Sequence, residues 1–212
     1  YGLNHEGSDI DRMSIFVAST LDIAGLDWHS SRDSKAIQGP EGDDFSAHEV
    51  GKFVRLALKS NPTVSELLWL DGYEISSEAG DLLVEARKLF LSANGVRAAY
   101  LGYANAQFTK FHANVLHGQG IAKRKHARHC LRLLRQGLTI LQTGEIQLKV
   151  RNPAEYFAMD DMTDAQVVEK LRREFTEVEY QIDSMRYFEV PDEPDRLEVS
   201  LILREIRLNH LI

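Results

Sequence analysis

The sequence predicts an α+β protein: a small mixed β-sheet with flanking helices, followed by a helical C-terminal module. Three observations carry this expectation. Before residue 72, β-branched and aromatic residues gather in short runs such as "MSIFVAS" (13–19). Glycine and proline turn signals punctuate the same region. Beyond it, apolar residues recur at three- and four-residue spacing over segments several helical turns long. The change near residue 72 sets the expected division, a small α/β module at 1–72 and a helical module at 73–212.

Taken in order, 13–19 reads as a strand whose N-terminal mouth carries Asp9 and Asp11. Gly25, Gly39, Pro40 and Gly42 make 21–44 a stretch of loops around one or two short strands. "DFSAHEV" is a further short strand or a strand-to-helix turn. Val50, Phe53, Val54, Leu56, Ala57 and Leu58 then lie mostly on one helical stripe, and "SNP" stops that helix, because a residue before proline is pushed out of the α region. "TVSELLWL" is a short apolar segment, helix or strand, closed by "DG" at 71–72. Ser77 is an N-cap for a helix bearing Leu82, Leu83, Ala86, Leu89 and Phe90. A second helix carries Ala99, Tyr103, Gln107, Lys110 and Phe111 on one face, and a third, "KHARHCLRLLRQGLTIL", is expected to break at Gly137. A long charged helix follows Thr163 or Asp164, and "DEPDRLEVSLILREIRLNHLI" closes the chain as a helix.

The totals exclude several classes. An apolar share of 43% and a charged share of 27% describe a globular chain. No apolar run approaches the roughly 20 residues of a membrane-spanning helix, so no membrane partner is expected. The lone cysteine, Cys130, permits neither an intrachain disulfide nor a multi-cysteine zinc site and fits a reducing compartment, with the cytoplasm as the expected location. Its place in an apolar stripe makes it buried and inert. With a net charge of −7, any site for a polyanion must be local. One locality qualifies: Lys123, Arg124, Lys125, Arg128, Arg132 and Arg135 crowd within one helix. That run is either a solvated helix face or a binding surface for phosphate.

The chemistry starts with Asp9 and Asp11. Residues i and i+2 of a strand share a face, so both carboxylates project together. Like charges so close are unfavourable unless a cation neutralises them, and hard oxygen donors favour Mg²⁺ or Mn²⁺ over zinc. His126 and His129 are three apart, a spacing metal ligands also use, but with no further cysteine or carboxylate partners nearby they read as surface or helix-packing histidines. Tyr103, Gln107 and Lys110 share a helix face that either meets a nucleobase or cross-links helices.

These residues sit among motifs of a known family. "YGLNHEGSDID" resembles the later part of the nucleotidyltransferase signature of the DNA polymerase beta superfamily, Gly-Ser, a spacer, then Asp-x-Asp at a strand. "DDFSAHEVGKFVRLALKSNPTVSELL" is similar to the segment after the catalytic strand in the RlaP-like nucleotidyltransferases, a family associated with RNA repair; the matching positions are Asp44, Glu49, Lys52, Asn61, Pro62 and Glu66. "YLGYANAQFTK" and "KRKHARHCLRLL" resemble its helical half, so the likeness spans roughly 1–145.

The resemblance implies a nucleotidyltransferase-type sheet and a metal-dependent transfer of NMP from an NTP to a hydroxyl, with pyrophosphate released. It implies Asp9 and Asp11 as the metal-bridging pair and Asp44 as the third catalytic carboxylate, with Asp43 and Glu49 as alternatives. Nucleotide or acceptor contacts fall to Ser8, Lys110, Lys125, His126 and Arg132. Gly7-Ser8 lies too near the aspartates to be the signature's phosphate-holding pair, which is expected upstream of Tyr1. An RNA end, tRNA included, is the implied acceptor. A catalytically silent nucleotide- or RNA-binding module of the same fold is the alternative, and a toxin–antitoxin enzyme modifying a protein or small molecule is a further one.

Overall fold

The computed structural model describes residues 1–3, 11–38, 44–116 and 123–212. In chain order the elements are β1 (Asp11–Phe16), α1 (Thr20–Ala24), β2 (Ser34–Gln38), β3 (Asp44–Glu49), α2 (Val50–Ala57), α3 (Pro62–Glu66), α4 (Glu78–Glu85), α5 (Ala93–Leu116), α6 (Arg124–Thr143), α7 (Pro153–Phe157), α8 (Asp164–Ser184) and α9 (Arg196–Leu208). Short 3₁₀ turns at Ser30–Asp33, Leu67–Trp69, Arg87–Phe90 and Ala158–Asp161 join them. The fold is α+β, as the sequence predicts. The chain forms two compact units, one of residues 4–90 with 194–212 and one of residues 1–3 with 91–193.

In the first unit, a three-stranded sheet has the order β1-β3-β2. β1 runs parallel to β3 and β2 antiparallel to it, so the sheet is mixed. β1 begins at Asp11, two residues before the expected strand, and the chain turns into α1 where only loops and strands were expected. Ser19 caps α1 by accepting from the Asp22 backbone N–H, which draws the chain out of the strand. The expected stripe on α2 buries Val50, Phe53, Val54 and Ala57. They meet Val64, Leu68, Leu83, Phe90, and Val199 and Ile206 of α9 in one core. Each valine, leucine, isoleucine or phenylalanine among them contributes about 1.5–3 kcal/mol when fully buried. "SNP" ends α2 as expected: Ser60 turns at φ +52°, Asn61 caps α3 by accepting from the Val64 N–H, and Pro62 occupies the first turn, where its missing N–H costs nothing.

The second unit is helical. Ser92 caps α5 through the Gly95 N–H, and the Thr163–Gln166 capping box opens α8. α6 does not break at Gly137; it is continuous to Thr143. The reason is packing: a Cβ on Gly137 would lie 2.8 Å from the Tyr100 Cβ of α5, so the glycine allows the two helices to approach. The helix ends instead at Gly144, at φ +67°, where a side chain would meet the Glu189 carbonyl oxygen at 2.9 Å. Cys130 is buried, and burial pushes its thiol up to about 12, leaving it protonated and inert. Among the described residues, no helix is long and apolar enough to cross a membrane.

Candidate functional site

The mixed sheet brings two of the three expected carboxylates side by side. Asp11, first residue of β1, is the in-register partner of Asp44, first residue of β3. Neighbouring strands lie about 4.8 Å apart, and in-register residues of a parallel pair share a face. Two contacts identify the faces. Arg12 stacks over the Phe45 ring at 5.3 Å on one, and Ser34 hydrogen-bonds His48 at 2.8 Å on the other. Asp11, Met13 and Ile15 of β1 therefore lie on the face of Asp44, Ser46 and His48 of β3.

Both carboxylates are exposed, and among the described residues neither has a hydrogen bond or ion pair. Like charges directly opposite one another on adjacent strands are unfavourable. That is the donor set and the uncompensated charge that a hard divalent cation satisfies. No group of three or more metal-ligating side chains occurs among the described residues. Asp9, Ser8 and Asp43 lie outside the described residues.

Glu49, the other alternative for the third carboxylate, sits at the far end of β3 and is engaged elsewhere. It is buried, accepts from the Gly51 N–H at 2.7 Å as the cap of α2, and pairs with Arg207 of α9 at 2.7 Å. Its chemistry is structural. A group that sequence analysis did not assemble lies nearer: Lys52 donates to the Ser34 hydroxyl at 2.7 Å, and that hydroxyl meets His48 Nδ1. Burial, then the Lys52 charge, hold His48 below the usual histidine range. The even spacing of 44, 46 and 48 could have placed His48 on the aspartate face, but the pairing of Ser34 with His48 depends on the register of β2.

In the helical unit the basic run of α6 divides. Arg124 pairs with Asp164, Arg128 with Asp160, and Arg135 makes a fork with Glu155 and Glu174. The Arg135 bond, joined by Lys170, holds the Glu155 carboxyl down at about 2. Arg132 is buried; it donates to Gln136, contacts His129, and lies over the Tyr1 ring at 3.8 Å. Burial beside Arg132 lowers His129 to about 4. What remains at the surface is Lys110, Lys123 and Lys125, around a His126 that bonds Gln107 at 2.8 Å. Burial lowers the pKa of His126, and Lys125, Lys110 and Lys123 lower it further. Gln107 and His126, expected on separate helices, thus meet, while Arg132 is withdrawn from solvent.

Known proteins bear on this arrangement. The model of the RNA repair pathway DNA polymerase beta family, RlaP, matches residues 1–182, and the chain belongs to that family. The match continues past residue 145, where the sequence motifs run out, almost to the end of α8. No curated protein and no solved structure matches the chain.

Proposed function

From membership of a DNA polymerase beta-like RNA repair family, we propose that the protein is a nucleotidyltransferase. It moves an NMP from an NTP to a hydroxyl at an RNA end, tRNA being one candidate, in the cytoplasm. The observation that carries this reading is the register pairing of Asp11 with Asp44. It supports a site at which exposed carboxylates from adjacent strands share one cation.

Asp11 and Asp44, together with Asp9, would hold Mg²⁺ or Mn²⁺. When bound, the metal supplies charge stabilisation at the phosphates and at the attacking oxygen. Asp44 accepts the proton of the acceptor hydroxyl at a carboxylate oxygen. The acceptor oxygen attacks the α-phosphorus, the bond from that phosphorus to the bridging oxygen breaks, and pyrophosphate leaves. Lys110, Lys125 and His126 bind phosphates of the nucleotide or acceptor through the exposed lysine cluster. Ser8 is a further nucleotide contact in this reading. Arg132, buried as it is, supports that surface by positioning His129 and Tyr1.

The test is label transfer. The protein is incubated with Mg²⁺, each α-labelled NTP in turn, and RNA or protein acceptors, beside the Asp9→Ala/Asp11→Ala and Asp44→Asn variants. Transfer to RNA by the wild type and its loss in both variants is the expected result. Transfer that survives the double substitution would overturn the metal assignment. Transfer to protein alone would overturn the acceptor.

A further inference from the structure

The hydrogen-bond chain Lys52–Ser34–His48 has a direction. A charged lysine only donates, so the Ser34 oxygen accepts from Lys52 Nζ at 2.7 Å. The hydroxyl keeps one hydrogen to give, and His48 Nδ1 stands 2.8 Å away. Nδ1 is therefore the acceptor, and the imidazole proton resides on Nε2. The reverse direction would aim two donors at one half-buried oxygen and leave the hydroxyl hydrogen without a partner among the described residues. Burial, and after it the adjacent Lys52 charge, also disfavour an imidazolium.

Neither His48 Nε2 nor the remaining Lys52 hydrogens have a partner among the described residues. His48 is four residues along β3 from Asp44, on the same face, which amounts to about 13 Å of strand. That distance is too great for contact with a cation at Asp11 and Asp44, but both groups belong to the same face of the sheet. A neutral N–H next to an ammonium is a donor pair suited to an anionic oxygen.

We propose that the Lys52–Ser34–His48 chain presents the Nε2–H of a neutral His48, with Lys52 beside it, to a phosphate oxygen of the substrate on the face of the sheet that carries Asp11 and Asp44. The identity of that substrate rests on the nucleotidyltransferase reading; the tautomer does not. His48 is a positioning residue here, at a distance from the reacting phosphorus.

Two measurements decide it. Two-bond ¹H–¹⁵N correlation on the free protein at neutral pH is expected to show His48 with Nε2 protonated and Nδ1 accepting. In Ser34→Ala the preference for that tautomer is expected to weaken. An imidazolium or an Nδ1–H tautomer in the wild type overturns the proposal, and this arm needs no variant that must fold. Binding of ATP and of a short RNA is then titrated for wild type, His48→Ala and His48→Gln, with melting curves to check folding. His48→Ala is expected to bind one ligand about tenfold more weakly, the scale of one hydrogen bond to a charged group. Gln, which keeps a neutral N–H near the Nε2 position, is expected to restore most of it. A loss for ATP identifies the triphosphate, and a loss for RNA identifies the acceptor backbone. Unchanged binding of both by folded His48→Ala overturns the phosphate contact. A failed label-transfer assay with the expected tautomer would overturn only the catalytic reading.

Discussion

The head of the sheet and the face of α6 treat charge in opposite ways. At the head of the sheet, Asp11 and Asp44 stand opposite each other with no counter-charge among the described residues. Along α6, Arg124, Arg128 and Arg135 each have a carboxylate from α7, α8 or the turn between them. Both regions are dense in charge by sequence. The paired arginines stabilise their own unit, whereas the unpaired aspartates can only weaken theirs until something from outside arrives. A charge that the fold leaves uncompensated is the better pointer to chemistry. Glu49 makes the same point within one strand, since its capping bond engages one carboxylate oxygen and its ion pair with Arg207 the other.

The largest expected effect breaks or upholds this contrast directly. Asp11→Asn and Asp44→Asn should each lower label transfer by about 10³-fold, the scale of several kcal/mol at roughly 1.4 kcal/mol per tenfold. Their melting temperatures should stay level or rise, because repulsion is relieved. A marked loss of stability without loss of transfer would place these aspartates with Glu49 instead.

Next is Arg207→Met, which leaves Glu49 buried without its ion partner. Chemical denaturation should show a loss of about 3 kcal/mol, the cost of stranding one member of a buried pair. Transfer per folded molecule should not change.

The helical unit offers a pH test. His129 titrates lower in the folded state, at about 4, than its ordinary value of 6.5. The unfolded chain therefore binds more protons between those values, and stability should fall as pH drops from 6.5 towards 4, by up to about 3 kcal/mol. Glu155 is depressed to about 2 from 4.5 by Arg135, so its contribution is full above pH 4.5 and disappears as pH falls towards 2. Its side chain is a third exposed, so solvent screening keeps that contribution small. Denaturation curves of His129→Gln should lose much of the first slope, the rest belonging to His126 and His48, which burial also lowers, and retain the second.

Gly137→Ala sharpens the contrast from the side of packing. A methyl group 2.8 Å from the Tyr100 Cβ should cost about 1–3 kcal/mol by thermal melting, despite alanine's better helix propensity. The smallest effect belongs to the exposed cations. Lys110→Ala and Lys125→Ala should each weaken RNA binding modestly and reduce the slope of log affinity against log salt by about 1. Arg128→Ala, its charge already held by Asp160, should leave that slope nearly unchanged.

Much of the fold was legible because its signals are local. The α2 stripe, the "SNP" stop, the Ser77 and Thr163 caps and the burial of Cys130 follow from spacing and from side chains bonding their own backbone. Gly137 was misread for a reason equally physical: helix propensity reports the isolated chain, while Tyr100 on another helix makes the absence of a Cβ useful. At the site, Asp11 and Asp44 could be named as carboxylates from motif order. Their adjacency required strand register, as did the meeting of Ser34 with His48.

By itself the sequence determined which residues carry charge, which of the long stretches are helical, where several of those helices begin, and the family to which the chain belongs. Tertiary structure alone decided which charges are compensated. It gave Glu49 to Arg207 from a helix more than 150 residues further along, and it gave the α6 arginines to α7, α8 and the turn between them, leaving Asp11 beside Asp44. It also placed α9 in the core of the sheet-bearing unit. The reason is that periodicity and capping act over a few residues, whereas electrostatic compensation depends on distances in space, which only the packed chain sets.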